Sequence, residues 1–175
     1  MKHLILSLIY ISVYKIVISA SPSTDYSQLS TVNCQLPTGL NRPVFYKAME
    51  ENNKDLVNTE LTELKTAPPD IRDAFMGTML MKKAGLGGSP STKLHLFKEG
   101  RKMLEGAIKK NPDNAEFRFL RLMVQEYAPG ILGYKNDTEK DSEYIRKSYK
   151  SLPGEVQQAI ANYSKKSKLL KLDVS

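Results

Sequence analysis

Arg118, Arg121 and Gln125 are the residues whose types and spacing point most directly to recognition chemistry. Steps of three and then four positions stack them on one face of a helix, and a guanidinium can grip a carboxylate through two parallel hydrogen bonds. The stripe is expected to face a groove or a buried acidic partner. The plainer alternative is that these side chains face water or pair with acids such as Glu116 or Asp141. Candidates for catalysis are scarce. The histidines are His3 and His95 and the single cysteine is Cys34, so no HExxH pair, His/Cys ligand cluster or Ser-His-Asp set can be assembled. The carboxylates sit in polar helical contexts that give no reason for a shifted pKa. The expectation is a protein that is not an enzyme, with no cofactor and no metal.

Charge offers a second candidate. Between Arg146 and Lys171 lie Arg146, Lys147, Lys150, Lys165, Lys166, Lys168 and Lys171 against Glu155 alone, which puts +6 of the net +7 at this end. Such a basic pole could attract anionic lipid, an envelope polymer or nucleic acid; solvated helix ends produce the same pattern. The glycine-rich run from Gly85 to Lys93 lacks the GxxxxGK[ST] order and no strand precedes it, so it reads as a helix connector and not a phosphate loop. Met76, Met79 and Met81 read as core filling, with an adaptable binding surface as the alternative.

These residues have to be positioned by helices. From Leu94 to Tyr134 two periodic segments flank Asn111-Pro-Asp-Asn114, as in a helical hairpin. In the first, Leu96, Phe97, Met103, Leu104, Ala107 and Ile108 recur at helical spacing. Gly100 falls on this apolar stripe, where close approach of another backbone would account for it. The second segment has Phe117, Leu120, Val124 and Tyr127 in one stripe widened by Phe119, Leu122 and Met123, and is expected to be the most buried helix. Asp113 or Asn114 can cap it, and Ala128-Pro129-Gly130 ends it.

The run GRKMLEGAIKKNPDNAEFRF resembles the boundary between consecutive tetratricopeptide repeats, carried by Ala107, Pro112, Asp113 and Asn114. The match covers about one repeat and its junction; no second copy appears at the 34-residue period of such repeats. The longer run NPDNAEFRFLRLMVQEYAPGILGY is similar to a group of small exported bacterial helical proteins. That resemblance implies a fold and an export route and brings no catalytic residues.

At 175 residues, 41% hydrophobic and 26% charged, the chain suits one globular domain. Residues 1–20 read as a signal peptide, with Lys2 and His3 before an apolar run that ends at Ala20. Lys15 interrupts that run and Ile18 stands where a small residue is usual, so an uncleaved membrane anchor and a buried first helix are the alternatives. Residues 21–41 read as a flexible leader and 42–175 as a single all-α domain of about six helices in antiparallel, repeat-like hairpins. Helices are expected from Arg42 to Leu64, from Pro69 to Gly85, in the central pair, after Asn136, and after Pro153; Thr138 and Asp141 approximate a capping box. The functional expectation is an exported, helical-repeat-like module that binds a protein or peptide. The alternative is binding of an anionic surface or small ligand through the basic pole or the Arg118/Arg121 stripe. Export would make nucleic acid an unexpected partner.

Overall fold

The computed structural model describes residues 40–172. The signal segment, Cys34 and almost all of the expected leader lie outside the described residues. Within them the protein is all-α, with seven helices and no strand: α1 (Arg42–Glu50), α2 (Lys54–Glu63), α3 (Pro69–Gly85), α4 (Pro90–Lys110), α5 (Ala115–Tyr127), α6 (Thr138–Ser148) and α7 (Gly154–Ser164). The expected first helix is two helices. Asn53 accepts from the backbone N–H groups of Asp55 and Leu56 at 3.0 and 3.1 Å, and a cap that satisfies two free donors favours a new start over continuation through Glu51, Asn52 and Asn53.

The connector between α3 and α4 is shorter than its composition implies. Gly87 and Gly88 turn the chain at φ +143° and +109°, values that glycine adopts without a Cβ clash. Ser89 then caps α4 by accepting from Thr92 N at 3.2 Å, with Pro90 in the first turn. The helix therefore begins four residues before Leu94.

α3 and α4 run antiparallel, Asp73 lying 3.8 Å from Lys110 at one end and Gly77 opposite Gly100 near the middle. A Cβ on Gly77 would lie 2.6 Å from the Gly100 carbonyl oxygen, and one on Gly100 would run into the Gly77 carbonyl oxygen. The two helices thus cross backbone to backbone. This is the close approach expected at Gly100, and its partner is α3. α5 and α6 form a second antiparallel pair, with Tyr144 of α6 donating to the Asp113 carbonyl at 3.1 Å beside the start of α5. Packing within these two pairs is far more extensive than packing of α4 on α5, which corrects the expectation that α4 and α5 make the central hairpin. The face of α4 that holds Gly100 and Leu104 is already committed to α3.

Aromatic side chains join the layers. Phe45 of α1 meets Phe75 of α3 at 4.8 Å, and Phe75 meets Phe117 of α5 at 6.4 Å. Phe119 stands between Tyr46 of α1 at 5.7 Å and Tyr163 of α7 at 5.5 Å. Most of these contacts are edge-to-face, the arrangement the ring quadrupole favours. α5 is central, ten of its thirteen residues being buried; each fully buried Phe or Leu contributes roughly 1.5–3 kcal/mol. The tail after α7 is tied to it by Glu126, which accepts from Tyr163 OH at 2.6 Å, Ser167 Oγ at 2.7 Å and the Lys168 amide at 2.9 Å. This brings Leu170, fully buried, into the core.

Candidate functional site

The arginine stripe faces inward. Arg121 grips Asp141 through two bonds, Nε to Oδ2 at 2.7 Å and Nη2 to Oδ1 at 2.8 Å, and Arg118 Nη1 adds a third at 3.2 Å. Asp141 is completely buried, and both arginines are nearly so. Every side-chain nitrogen of the two arginines is engaged. Arg118 reaches the Pro112 carbonyl at 3.0 and 2.7 Å, and Arg121 Nη1 reaches Glu105 at 2.9 Å with Asp137 at 3.5 Å. Tyr134 closes the cluster by donating to Glu105 at 2.5 Å. Burial alone would lower the Arg121 pKa; the hydrogen bonds and charge of Asp141, with Glu105 and Asp137 behind it, outweigh this and raise it above its ordinary value. Burial and then the Glu105 carboxylate push the Tyr134 hydroxyl well up.

Gln125 does not join its neighbours. It is fully buried, and neither its amide oxygen nor its amide nitrogen has a hydrogen-bond partner among the described residues. The expected capping box is not formed: Thr138 Oγ1 donates to the Lys135 carbonyl, and Asp141 is drawn to two guanidiniums, which offer charge-assisted bonds that a neutral cap cannot match.

An apolar concavity lies elsewhere. A groove of about 830 Å³ opens between the C-terminal end of α1, the connector end of the α3/α4 pair and the C-terminal end of α5. Met49, Met81, Phe97, Met123 and Val124 form much of its lining, and Tyr163 closes one side. Leu94, Tyr127 and Ile131 stand around it, 42%, 66% and 95% exposed; with Leu169 they are the exposed large hydrophobics among the described residues. Tyr127 therefore leaves the core stripe in which sequence periodicity places it. α5 ends at Tyr127, and the side of its last turn that carries Tyr127 is exposed while Gln125 is buried and Glu126 meets Tyr163 of α7.

The charged groups at the groove are mostly cations. Lys82 comes from α3, Lys93 from the first turn of α4 and Lys166 from just beyond α7, with Glu50 as the acid. Lys166 meets Glu50 at 3.2 Å. Lys82 has Asn52 Oδ1 at 3.4 Å, and burial, followed by the nearby Lys166 charge, lowers its pKa. Among the described residues no ion pair includes Lys82 or Lys93.

The seven cations of the basic pole are distributed. Lys166 sits at the groove, Lys147 pairs with Glu143 at 2.6 Å, and Arg146 donates to the Leu169 carbonyl at 3.3 Å, which sets it beside the tail that carries Lys168 and Lys171. Lys171 reaches the Ser164 carbonyl at 3.4 Å and Lys165 reaches Asn162 at 3.5 Å, while Lys150 is exposed in the turn after α6. Of the three methionines singled out in sequence, Met81 lines the groove, Met79 is fully buried and Met76 is half-buried against the core. Compared with known proteins, the chain matches no family model, no curated protein and no solved structure.

Proposed function

We propose that this is an exported all-helical interaction module whose groove takes up a segment of another protein. The observation that carries the reading is the gathering of Leu94, Tyr127 and Ile131 around one apolar concavity. Exposed apolar side chains that are scattered are ordinary; a contiguous set around a depression marks a binding surface. The methionines add side chains that adjust to different partner shapes. The groove offers apolar area and positive charge, and binding needs nothing more. Site-specific photocrosslinking in the native host tests this. A crosslinking amino acid at Tyr127 or Ile131 should yield a discrete adduct that Leu94→Asp removes, and one at Lys109 on α4 should yield none. Equal labelling from both faces would sink the proposal.

The basic pole supports a second reading, binding to an anionic surface, because Arg146 and the lysine-bearing tail are held together at one end. Sedimentation with anionic vesicles that falls steeply with salt would favour it. The Arg118/Arg121 part of that alternative is set aside, since those donors are spent on Asp141, Glu105 and Pro112.

A further inference from the structure

We infer that the groove is built for an amphipathic helix that carries acidic residues beside its apolar face, supplied by a different protein. The inference rests on the peptide-binding reading above and narrows its partner.

Charge comes first. Three lysines, from three separate elements, stand around the apolar surface, and Glu50 answers only Lys166. Lys82 is partly desolvated beside a second cation. A carboxylate entering the groove meets uncompensated positive potential at Lys82 and Lys93, whereas an incoming cation is repelled; this is how charge selects a partner. The same balance argues against two occupants close at hand. A second copy brings another net +7, and residues 1–39 hold Asp25 as their only acid against Lys2 and Lys15.

Backbone chemistry then selects the conformation. The described walls are helices, a short 3-10 turn, Gly130–Leu132, and connector residues such as Asn52, Leu86 and Ala128, with no sheet edge. An extended peptide in an apolar groove would leave its N–H and C=O groups without ladder partners. A helix arrives with those bonds already made and presents only side chains, the helix-in-groove mode of recognition. A single-chain anionic amphiphile has one headgroup, which can answer one lysine; a helix can place an acid opposite each.

The test uses the full chain and a fluorescent peptide of about fourteen residues, roughly 20 Å long when helical, with leucines at helical spacing flanked by glutamates. Its twin replaces each glutamate by lysine. Anisotropy titration at low salt should show the acidic peptide binding at least about tenfold more tightly, with the gap closing as salt rises. The double variant Lys82→Glu, Lys93→Glu should abolish or reverse the preference while retaining the circular dichroism of the parent. Should that variant lose structure, Lys82→Gln, Lys93→Gln serves in its place and should remove most of the preference. Equal binding of both peptides would overturn the acidic partner and leave the groove reading standing. If neither peptide binds, or Ile131→Asp has no effect on binding, both fall. Dodecyl phosphate that displaces the acidic peptide at a concentration below the peptide's own Kd would replace the helix by a lipid-like ligand and overturn the inference.

Discussion

Asp141 ties α6 to α5 through charge at full burial. It accepts from two guanidiniums at full burial, so each of the three charges depends on the others. Arg121→Ala should therefore cost ~3–5 kcal/mol in urea unfolding, the range for a buried ion pair broken on one side. Removing Asp141 and Arg121 together should cost less than the sum of the single changes, because the second deletion removes a charge already orphaned by the first. A loss of at most ~1 kcal/mol for Arg121→Ala would mean that the cluster behaves as an exposed pair. Glu126 makes a second prediction, in pH. Burial raises its pKa, but the donors Tyr163, Ser167, Lys168 and Leu169 outweigh burial and hold it below the ordinary 4.5. A folded pKa below the unfolded one contributes stability that is present above about pH 4.5 and is lost as pH falls through the folded value. Protection of the Lys168 and Leu169 amides, measured against the intrinsic exchange rate at each pH, should fall on acidification below that point, and Glu126→Gln should flatten the response.

At the scale of the element, α4 holds a built-in comparison. Gly100→Ala or Gly77→Ala drives a methyl group into the facing backbone and should destabilise by about 1–3 kcal/mol or more through forced separation of the helices. Gly106, in the same helix, has open space where a Cβ would stand, so Gly106→Ala should stabilise by about 0.5–1 kcal/mol. Opposite shifts in thermal midpoint check the pair. Sequence periodicity sufficed for α3, α5, α6 and α7 because their caps and breakers coincide with changes in the apolar pattern. It also placed a close approach at Gly100. It did not reveal Gly77 as the other half, since a glycine among Thr78, Met79 and Met81 interrupts no pattern. The split at Asn53 was hidden because periodicity runs through a break when apolar residues on either side fall in phase. The arginine stripe was legible as a stripe, and Asp141 was a named candidate partner, but three- and four-residue spacing fixes a helix face without saying what lies opposite. The groove was least legible, being a product of tertiary arrangement: Tyr127 continues the stripe of α5, and nothing in the spacing shows that its side of the last turn is exposed while Gln125 is buried.

The whole described domain is tied across its length. α1 packs on α5 and α7, through Tyr46, Phe119 and Tyr163 and through the Arg42–Glu116 pair at 2.8 Å, and Lys166 reaches back to Glu50. In an open helical array each unit touches only its neighbours, so end units can be removed one at a time and unfolding proceeds in steps. Here the first and last helices share a wall of the same core. Truncation at Ser151 would strip away Val156, Ile160, Tyr163 and Leu170, all of them core residues, and lay bare Phe119 and Tyr46 in the middle of the molecule. Unfolding should accordingly be a single cooperative transition, with the same midpoint by circular dichroism and by tyrosine fluorescence, and the truncated chain should fail to fold. Closure also bears on the order of assembly. The α3/α4 and α5/α6 pairs can form from residues close in sequence, whereas the contacts of α1 with α5 span 70 residues or more, so its docking on α5 carries the larger loop-closure cost and is expected late in folding. Until α1 arrives, the groove lacks Met49 and Glu50. On the proposed reading, a chain in which α1 has not docked should fail to bind the acidic peptide.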